Sequence, residues 1–448
     1  MEPNPDRQDG AEPKLLRRIG LFDATMLVMG GIVGTGIFIN PYVVARQVHT
    51  PLLILGAWVG GGAIAILGAF VYAELAARMP DVGGQYAYLR SAFHPIAGFL
   101  YGWVLLLVIQ TGGMAAVTVT FAKYFVELTG IQASERGIAL IALALLTGIN
   151  CMGVKMGSRV QSALMVAKVV AIAVLVVAGM LLVREPHPIV GFGGRGRPLH
   201  MSLFGDFGAA MVPVLFAYGG WHTANFVATE IQDPRRNLTR ALLMGVAGVI
   251  ALYVAVNVVC LRALGPDGLA ATTVPATSVM RVVLGEPGVR FIALAIAVSA
   301  IGFLSQSILT APRVYFAMAE DGLFFRSVGT VSQRTHVPVA AIVLQSVWTA
   351  VIALSGRYEQ ILNYVVSMDL LFYGLSAATL FVMRARDGQS NYRVPGHPVT
   401  TALFIAVCWA VVGNTIHRYP ENSLLGMAML ALGVPVYALW SRGEGARK

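Results

Sequence analysis

The stretch that decides the fold is MLVMGGIVGTGIFINP, residues 26–41. It is apolar enough to lie in a membrane, yet four of the seven residues from Gly30 to Gly36 are glycine. In a helix interior each glycine costs about 1 kcal/mol relative to alanine. This density predicts an unwound stretch around Thr35, whose free amides and carbonyls line a polar cavity. Close packing against another helix is the alternative interpretation, and we apply it to the glycines at 60–62.

A second apolar segment is interrupted in the same way. It reads VLFAYGGWHTANFVATE, residues 214–230, and places Gly219 and Gly220 between Tyr218 and Trp221. The interrupted segments are the first and the sixth along the chain, which indicates a repeat of five helices. Because five is an odd number of crossings, the second copy inserts upside down and the repeat is inverted. Half-helices that meet near the midplane offer amides to an anion and carbonyls to a cation, which suits a zwitterionic amino acid.

The composition requires lipid as the solvent. Of the 448 residues, 57% are hydrophobic and 12% are charged, whereas a soluble domain carries about 25% charged residues. An α-helix of about 20 apolar residues crosses the hydrocarbon core of a bilayer. We therefore predict an all-α membrane protein with about twelve transmembrane helices, in the segments Ala24–Arg46, Leu52–Arg78, Ala92–Leu128, Gly137–Val154, Ser162–Val183, Phe204–Ala228, Ala241–Leu264, Phe291–Ala319, Val337–Leu354, Ile361–Met383, Val399–Ile416 and Ser423–Trp440.

The positive charges predict the topology. With the N-terminus inside, twenty Lys and Arg residues fall on the cytoplasmic side and ten on the outer side, while two lie within helices. Since cytoplasmic loops carry the excess of positive charge, we expect both termini in the cytoplasm, with the protein in a bacterial inner membrane. The polar first twenty residues predict no cleaved signal peptide. The net charge of +10 is spread through short loops, so no nucleic-acid partner is expected.

Four stretches carry a family resemblance, namely GIVGTGIFINP (31–41), YAELAARMPDVGGQYAYL (72–89), FAYGGWHTANFVATEIQDPRRNL (216–238) and NYRVPGHP (391–398). Together they resemble the amino acid–polyamine–organocation (APC) transporter superfamily and, within it, the L-type amino-acid transporter branch. The resemblance implies a LeuT-type five-plus-five inverted repeat with discontinuous helices 1 and 6. Its parts are a cytoplasmic tail 1–23, a first repeat 24–185, a second repeat 204–386, helices 11 and 12 at 399–440 and a cytoplasmic tail 441–448.

The resemblance also implies a substrate site at the two interruptions. The substrate carboxylate is implied to bind the amides of Gly34, Thr35 and Gly36. Its ammonium is implied to meet the carbonyls of Ile32, Phe216 and Gly219, with the Phe216 ring as a gate. The third segment, FLYGWVLLLVIQTGG at residues 99–113, resembles the family helix that touches the substrate side chain and nominates Gln110, Thr111 and Gly113. For Gln110, a hydrogen bond to a neighbouring helix is the alternative interpretation.

Lys168 lies deep in the fifth segment, within QSALMVAKVVAIAVLVV, residues 161–177. A lysine there costs about 2.5–3.5 kcal/mol on insertion scales, so it should face protein or water. By resemblance it occupies the place where sodium-coupled relatives bind sodium. Its ammonium is implied to bridge the carbonyls near Gly31 and Ile32 to Ser305 in the eighth segment. A fixed structural charge and a lysine that exchanges protons are both open interpretations.

Two more ionisable residues stand at membrane depth. Asp369, in NYVVSMDLLFYG, has no counterpart in the family pattern. It either pairs with an arginine or stays protonated, and a coupling or substrate role is open. His222 stands where the L-type pattern has asparagine. It either titrates near neutral pH or makes the same hydrogen bond as a neutral imidazole.

These observations predict a sodium-independent secondary transporter of amino acids that works by alternating access, as an exchanger or a proton-linked permease. Neutral substrates are expected, because Gly219 stands where relatives that transport dibasic amino acids carry an acidic residue. Transport of polyamines or modified amines is the alternative. A channel and a membrane subunit of a larger complex are the alternatives outside transport.

Neither enzyme chemistry nor a cofactor is expected. The sequence has no HExxH or GxSxG motif. The three cysteines, Cys151, Cys260 and Cys408, lack metal-ligand spacing, so no metal is expected either. The loop ELTGIQASER, residues 127–136, has no cysteine. It therefore predicts no disulfide-linked heavy chain of the kind that animal L-type relatives carry, and a monomer or a non-covalent dimer.

Overall fold

The computed structural model describes residues 15–188, 202–355, 358–386, 390–418 and 420–445. Residues 1–14 and 446–448 of the two predicted tails lie outside these ranges. In chain order the described α-helices are α1 Leu21–Ile32, α2 Gly36–Val48, α3 Pro51–Arg78, α4 Gln85–Ala92, α5 Pro95–Val104, α6 Gln110–Thr129, α7 Glu135–Cys151, α8 Val154–Leu182, α9 Ser202–Tyr218, α10 Pro234–Ala271, α11 Pro275–Thr310, α12 Pro312–Glu320, α13 Val339–Ser355, α14 Tyr358–Arg386, α15 Val399–Arg418 and α16 Pro420–Gly445. The described residues also form three helical stretches that are not α-helical. They are a π-helical turn at Leu105–Ile109 and 3-10 helices at Trp221–Glu230 and Arg326–Gly329.

The helices account for the twelve predicted crossings. Eight helical stretches within the described ranges are long and apolar enough to span a membrane, and the bent pair α1 and α2 makes a ninth. The other three predicted segments fall on α7, α9 and α13, which have 17 residues each. That length is at the lower end of the range for a transmembrane helix. The chain is therefore a nearly all-helical, multi-pass membrane protein, as predicted, while the division into two inverted repeats stays a prediction.

Both predicted interruptions are present. Helices α1 and α2 meet at an angle of 40°, and residues Val33 to Thr35 between them are not helical. Helix α9 ends at Tyr218, and Gly220 adopts the left-handed backbone conformation with φ of 93°. After Gly220 the chain continues as a 3-10 helix instead of an α-helix. The glycines therefore interrupt the first and sixth spans where the sequence predicts.

The two interruptions touch each other through their backbones. A Cβ atom placed on Gly31 would lie 2.5 Å from the carbonyl oxygen of Gly220, so only glycine permits this approach. The hydroxyl of Tyr253, on α10, lies 3.1 Å from the carbonyl oxygen of Ile32 and 3.2 Å from that of Ala217. One buried tyrosine thus holds both broken helices at their crossing.

Ion pairs join the helix ends on one side of the bundle. Glu230, at the end of the 3-10 helix, forms a bidentate pair with Arg313 on α12, with N–O distances of 2.6 and 3.0 Å and no solvent exposure of either side chain. Glu74 on α3 accepts from Arg384 on α14 at 2.5 and 2.9 Å. On this side the N-terminal arm also pairs with the sixth span, because Ile19 forms a β-bridge with Ile231.

Removing one partner of the buried pair is expected to destabilise the fold. Glu230→Gln leaves the Arg313 guanidinium buried without a counter-charge, which typically costs about 3–5 kcal/mol. Thermal unfolding of the purified protein in detergent measures the loss. The control is Glu286→Gln, since the Arg281–Glu286 pair on α11 is 3.9 Å long and mostly exposed and should contribute about 0–1 kcal/mol. Equal melting temperatures for the two variants would contradict a stabilising role for the buried Glu230–Arg313 pair.

Candidate substrate-binding site

A cavity of about 100 Å³ lies at the crossing of the broken helices. This is room for several water molecules or a small solute. Five parts of the bundle line it: the first interruption with Gly31, Ile32, Gly34, Thr35 and Gly36; the third span with Ile109, Gln110, Gly113, Ala116 and Val117; the sixth span with Leu215, Phe216, Ala217, Gly219, Gly220, His222 and Thr223; α11 with Phe303 and Gln306; and α14 with Val365, Asp369, Leu370 and Tyr373.

Nine of the ten predicted substrate residues lie together in this lining: Ile32, Gly34, Thr35, Gly36, Gln110, Gly113, Phe216, Gly219 and His222. Thr111 does not. Its side chain is fully buried and donates its hydroxyl to the carbonyl oxygen of Leu106. Of the predicted coupling residues, Asp369 lines the cavity, whereas Lys168 and Ser305 lie outside the lining. That these residues bind substrate stays a prediction.

Helical spacing after a π-helical turn decides which residues of the third span face the cavity. The turn covers Leu105–Ile109 and holds one more residue than an α-helical turn, so it rotates the helix that follows. From Gln110 onward the residues at a helical spacing of three, Gln110 and Gly113, face the cavity. Thr111, one residue later than Gln110, points back towards the turn.

Of the three amides expected to bind the substrate carboxylate, that of Gly34 already has a partner. Helix α2 begins at Gly36, and the first amides of a helix have no partners within it, which favours an anion at this end. The amide of Gly34, however, donates to the carbonyl oxygen of Ile32 at 2.9 Å. In this conformation the anion-binding end therefore depends on Thr35 and Gly36, and Gly34 has its amide engaged.

The carbonyl side is also partly engaged. The carbonyl oxygen of Ile32 accepts from the amide of Gly34 and shares the single proton of the Tyr253 hydroxyl with the carbonyl oxygen of Ala217. The carbonyl oxygen of Phe216 accepts from the amide of Gly219 at 3.1 Å. A carbonyl oxygen can accept two bonds, so Phe216 retains a position for an ammonium group.

Lys168 reaches the first interruption, but through a different carbonyl from those predicted. The lysine is 1% exposed, and its Nζ donates to the carbonyl oxygen of Val33 at 2.6 Å. The predicted contacts near Gly31 and Ile32 are therefore corrected to Val33. The side chain packs against Gly302 on α11, where a Cβ atom would lie 2.9 Å from the Nζ atom.

The predicted partner on the eighth span is also corrected. The Ser305 hydroxyl is buried and has no hydrogen-bond partner within the described ranges. Instead, Ser299 donates to the carbonyl oxygen of Gly34 at 2.9 Å. Six residues separate the two serines, which is about 1.7 helical turns, so they point in different directions. Val33 and Gly34 thus receive their donors from α8 and α11.

Several lining residues are not evident from the sequence. Gln306 donates its side-chain amide to the Thr223 hydroxyl at 2.6 Å, which ties α11 to the sixth span. The Tyr373 hydroxyl accepts from the amide of Gly220 at 3.2 Å. Phe303 lies opposite Gly34. Of these, Gln306 could have been predicted from the sequence, because a long polar side chain at membrane depth usually faces protein and not lipid.

His222 is packed in an aromatic environment at the second interruption. The residue is 2% exposed, and neither ring nitrogen has a hydrogen-bond partner in the part of the chain that the structure describes. Its ring lies 4.7 Å from the ring of Tyr373, in an edge-to-face arrangement at 67°. The imidazole therefore has unused hydrogen-bonding capacity beside the cavity.

Two broken helices that cross at a cavity within about twelve spans define a secondary transporter. The chain matches the amino acid permease family over residues 19–434 and belongs to that family. It is similar to the large neutral amino acids transporter small subunit 2 of Homo sapiens, with 28% identity over 96% of this chain and 81% of that protein. It is also similar to the serine/threonine exchanger SteT of Bacillus subtilis, with 30% identity over 94% of this chain and 96% of that protein. The Asc-type amino acid transporter 1 of Mus musculus is 28% identical over 95% of this chain and 81% of that protein.

These comparisons confirm the resemblance to APC transporters of the L-type branch. The protein is an amino acid transporter of the membrane and not an enzyme.

Proposed function

We propose that the protein carries neutral amino acids across a bacterial inner membrane by alternating access, without sodium, as an exchanger or a proton-linked permease. The observation that carries the proposal is the contact between Lys168 and Val33. The ammonium places a fixed positive charge against the carbonyl end of the first interruption, 2.6 Å from the oxygen. A cation bound there from solution would meet the same carbonyl and would be repelled by the lysine.

The shape of the cavity supports alternating access. The ion pairs Glu230–Arg313 and Glu74–Arg384 join the helix ends on the side of the N-terminal arm. The lining includes Val365 near the start of α14, whereas the ion-paired Arg384 is near the end of the same helix. With both termini in the cytoplasm, this is a conformation whose cytoplasmic side is closed. Opening requires the ion-paired helix ends to separate.

Neutral selectivity is supported by the wall of the cavity and by the relatives. Gly219 contributes no carboxylate to the site. A cationic side chain would lose several kcal/mol of hydration unless another acid compensated it. Two of the relatives are named for large neutral amino acids and for serine and threonine. Polyamines and modified amines, the alternative substrates, carry positive charges that Gly219 leaves without a partner, and Asp369 is the one acid among the described lining residues that could pair with them.

Competition tests the selectivity. Proteoliposomes containing the protein are assayed for uptake of labelled L-alanine, L-serine and L-leucine, with unlabelled competitors at equal concentration. We expect neutral amino acids to inhibit uptake, and arginine, lysine and agmatine to leave it within about twofold of the control, because desolvating their charge costs more than 1.4 kcal/mol, a factor of ten in affinity. Stronger inhibition by a cationic compound than by a neutral amino acid would refute neutral selectivity. Single-channel current in a planar bilayer would instead indicate a channel.

We further propose that the protein works without a disulfide-linked heavy chain. The loop of residues 127–136 has no cysteine, and Cys151, Cys260 and Cys408 are free thiols. Cys260 and Cys408 are buried, where a partner cannot reach them without rearrangement. A monomer or a non-covalent dimer is the expected state, and light scattering of the detergent-solubilised protein distinguishes the two.

A further inference from the structure

We propose that Asp369 binds the proton that drives uptake, so that the protein is a proton–amino acid symporter. The inference rests on the proposed function and names its coupling ion. Three observations support it: Asp369 lines the cavity, no cation pairs with Asp369 in the described part of the chain, and Tyr373 links Asp369 to Gly220 in the second interruption.

Asp369 faces the substrate cavity. It lines the cavity from α14 together with Val365, Leu370 and Tyr373. Its Oδ1 atom is buried and has no hydrogen-bond partner within the described ranges. The carboxyl group therefore lies beside the substrate position and has an unoccupied position for a proton.

The surroundings of Asp369 provide little to compensate a negative charge. The titratable groups that face it are Tyr72 of α3, Tyr101 of α5, Tyr373 of α14 and Cys408 of α15, and His222 packs on Tyr373 across the cavity.

No Lys or Arg forms a salt bridge with Asp369 in the part of the chain that the structure describes. On the same helix, Arg384 is already paired with Glu74, and Lys168 donates to Val33. Asp369 is half-buried, and a carboxylate that is largely removed from water without a cation is unfavourable, so binding a proton removes a costly charge.

Tyr373 connects the carboxyl group to the moving part of the fold. Its hydroxyl is within hydrogen-bonding reach of Asp369 and also accepts from the amide of Gly220. Gly220 in turn lies against the backbone of Gly31. Protonation at Oδ1 leaves the other oxygen as an acceptor of the Tyr373 hydroxyl, but it removes the negative charge that strengthens this bond and so weakens the contact that holds the second interruption.

The proton balance follows from this arrangement. On the outer side the carboxylate takes up one proton and becomes a neutral carboxyl group, and the substrate binds beside it. After the cavity opens to the cytoplasm, the substrate and the proton leave and the carboxylate is restored. The zwitterionic substrate has no net charge, so each cycle carries one positive charge inward.

The experiment uses the full-length protein in proteoliposomes with an imposed pH gradient, acidic outside. The probes are labelled L-alanine, L-serine and L-leucine, and a pH dye in the lumen reports proton entry. For the wild type we expect accumulation of up to about tenfold for each pH unit across the membrane, acidification of the lumen on addition of substrate, and faster uptake at an inside-negative potential. Exchange at symmetrical pH should continue as well.

Asp369→Asn mimics a carboxyl group that cannot release its proton. It should lose accumulation and substrate-dependent acidification while still exchanging internal for external amino acid. Asp369→Glu should recover both signals in part. The control is Asp206→Asn, an acid of α9 outside the cavity lining, which should keep the wild-type ratio of uptake with and without the gradient. His222→Asn is compared as the variant of the titratable imidazole in the cavity wall.

Three outcomes would overturn the proposal. One is full proton-driven accumulation by Asp369→Asn, and another is loss of the gradient response in His222→Asn but not in Asp369→Asn. The third is a wild-type protein that exchanges amino acids with no response to the gradient, which leaves the proposed function standing. Failure of the wild type to move any amino acid would instead contradict the proposed function.

Discussion

Lys168→Ala is expected to reduce the initial rate of uptake of a neutral amino acid by about a hundredfold or more. The substitution removes the donor to the Val33 carbonyl, in the non-helical backbone between α1 and α2. Breaking a buried charged contact typically costs about 3–5 kcal/mol, and each 1.4 kcal/mol is a factor of ten. Uptake of labelled L-leucine and L-alanine into proteoliposomes measures the loss.

The matched control for this substitution is Lys123→Ala. Lys123 lies on α6 and is exposed, so its removal should leave the rate within about twofold, because surface substitutions usually change stability by no more than about 0.5 kcal/mol. A thermal unfolding curve for each variant separates loss of function from loss of fold. Uptake that survives Lys168→Ala and rises in proportion to external sodium would show that the lysine has been assigned wrongly.

Gly34→Ala and Gly36→Ala are expected to weaken substrate binding at least about tenfold while the fold is retained. A Cβ atom on Gly34 would lie 3.5 Å from the Phe303 ring, and one on Gly36 would lie 3.4 Å from the Asn40 side chain, which are tolerable contacts. Both positions line the cavity. The added methyl group would keep a carboxylate away from the amides, at a cost above the 1.4 kcal/mol that corresponds to a factor of ten.

Binding of labelled L-alanine, L-serine and L-leucine to the detergent-solubilised variants checks this expectation. Gly56→Ala, where a Cβ atom would meet nothing within 4 Å, is the control and should bind normally. Gly220→Ala is expected to misfold. Gly220 has a left-handed backbone conformation and contacts the backbone of Gly31, so there is no room for a side chain. Unchanged affinity in well-folded Gly34→Ala and Gly36→Ala would remove the main argument for the site.

The sequence predicts those parts of the fold that depend on local chemistry. Glycines weaken a helix, and the clusters at 30–36 and 219–220 mark the interruptions at 33–35 and 219–220. The cluster at 60–62 lies within the continuous helix α3, where it packs closely against other helices, as the alternative interpretation expects. A kink at Gly265, whose φ is 66°, interrupts α10 directly after the predicted end of the seventh segment at Leu264, and the following Pro266 is its signal in the sequence. The π-helical turn at Leu105–Ile109 has no such signal, since its residues, LLLVI, suit any apolar helix.

The cavity lining could be predicted on the interrupted backbone and at Gln110 and Gly113 of the third span. The residues next to the glycines fall in the cavity, whereas Thr111 follows Gln110 directly and so points about 100° away from it around α6. The contact of Lys168 with Val33, and that of Ser299 with Gly34, depend on how α8 and α11 pack against the first interruption. Tertiary packing of this kind sets the rotation of each helix, and hydropathy along one chain does not report it.

Counterflow tests the central claim most directly. Proteoliposomes are preloaded with a single unlabelled neutral amino acid, and entry of the labelled form is measured in sodium medium and in choline medium. The proposed function predicts saturable entry that internal amino acid accelerates and that is equal in the two media. Entry that does not saturate, or that appears only when sodium is present, would contradict it.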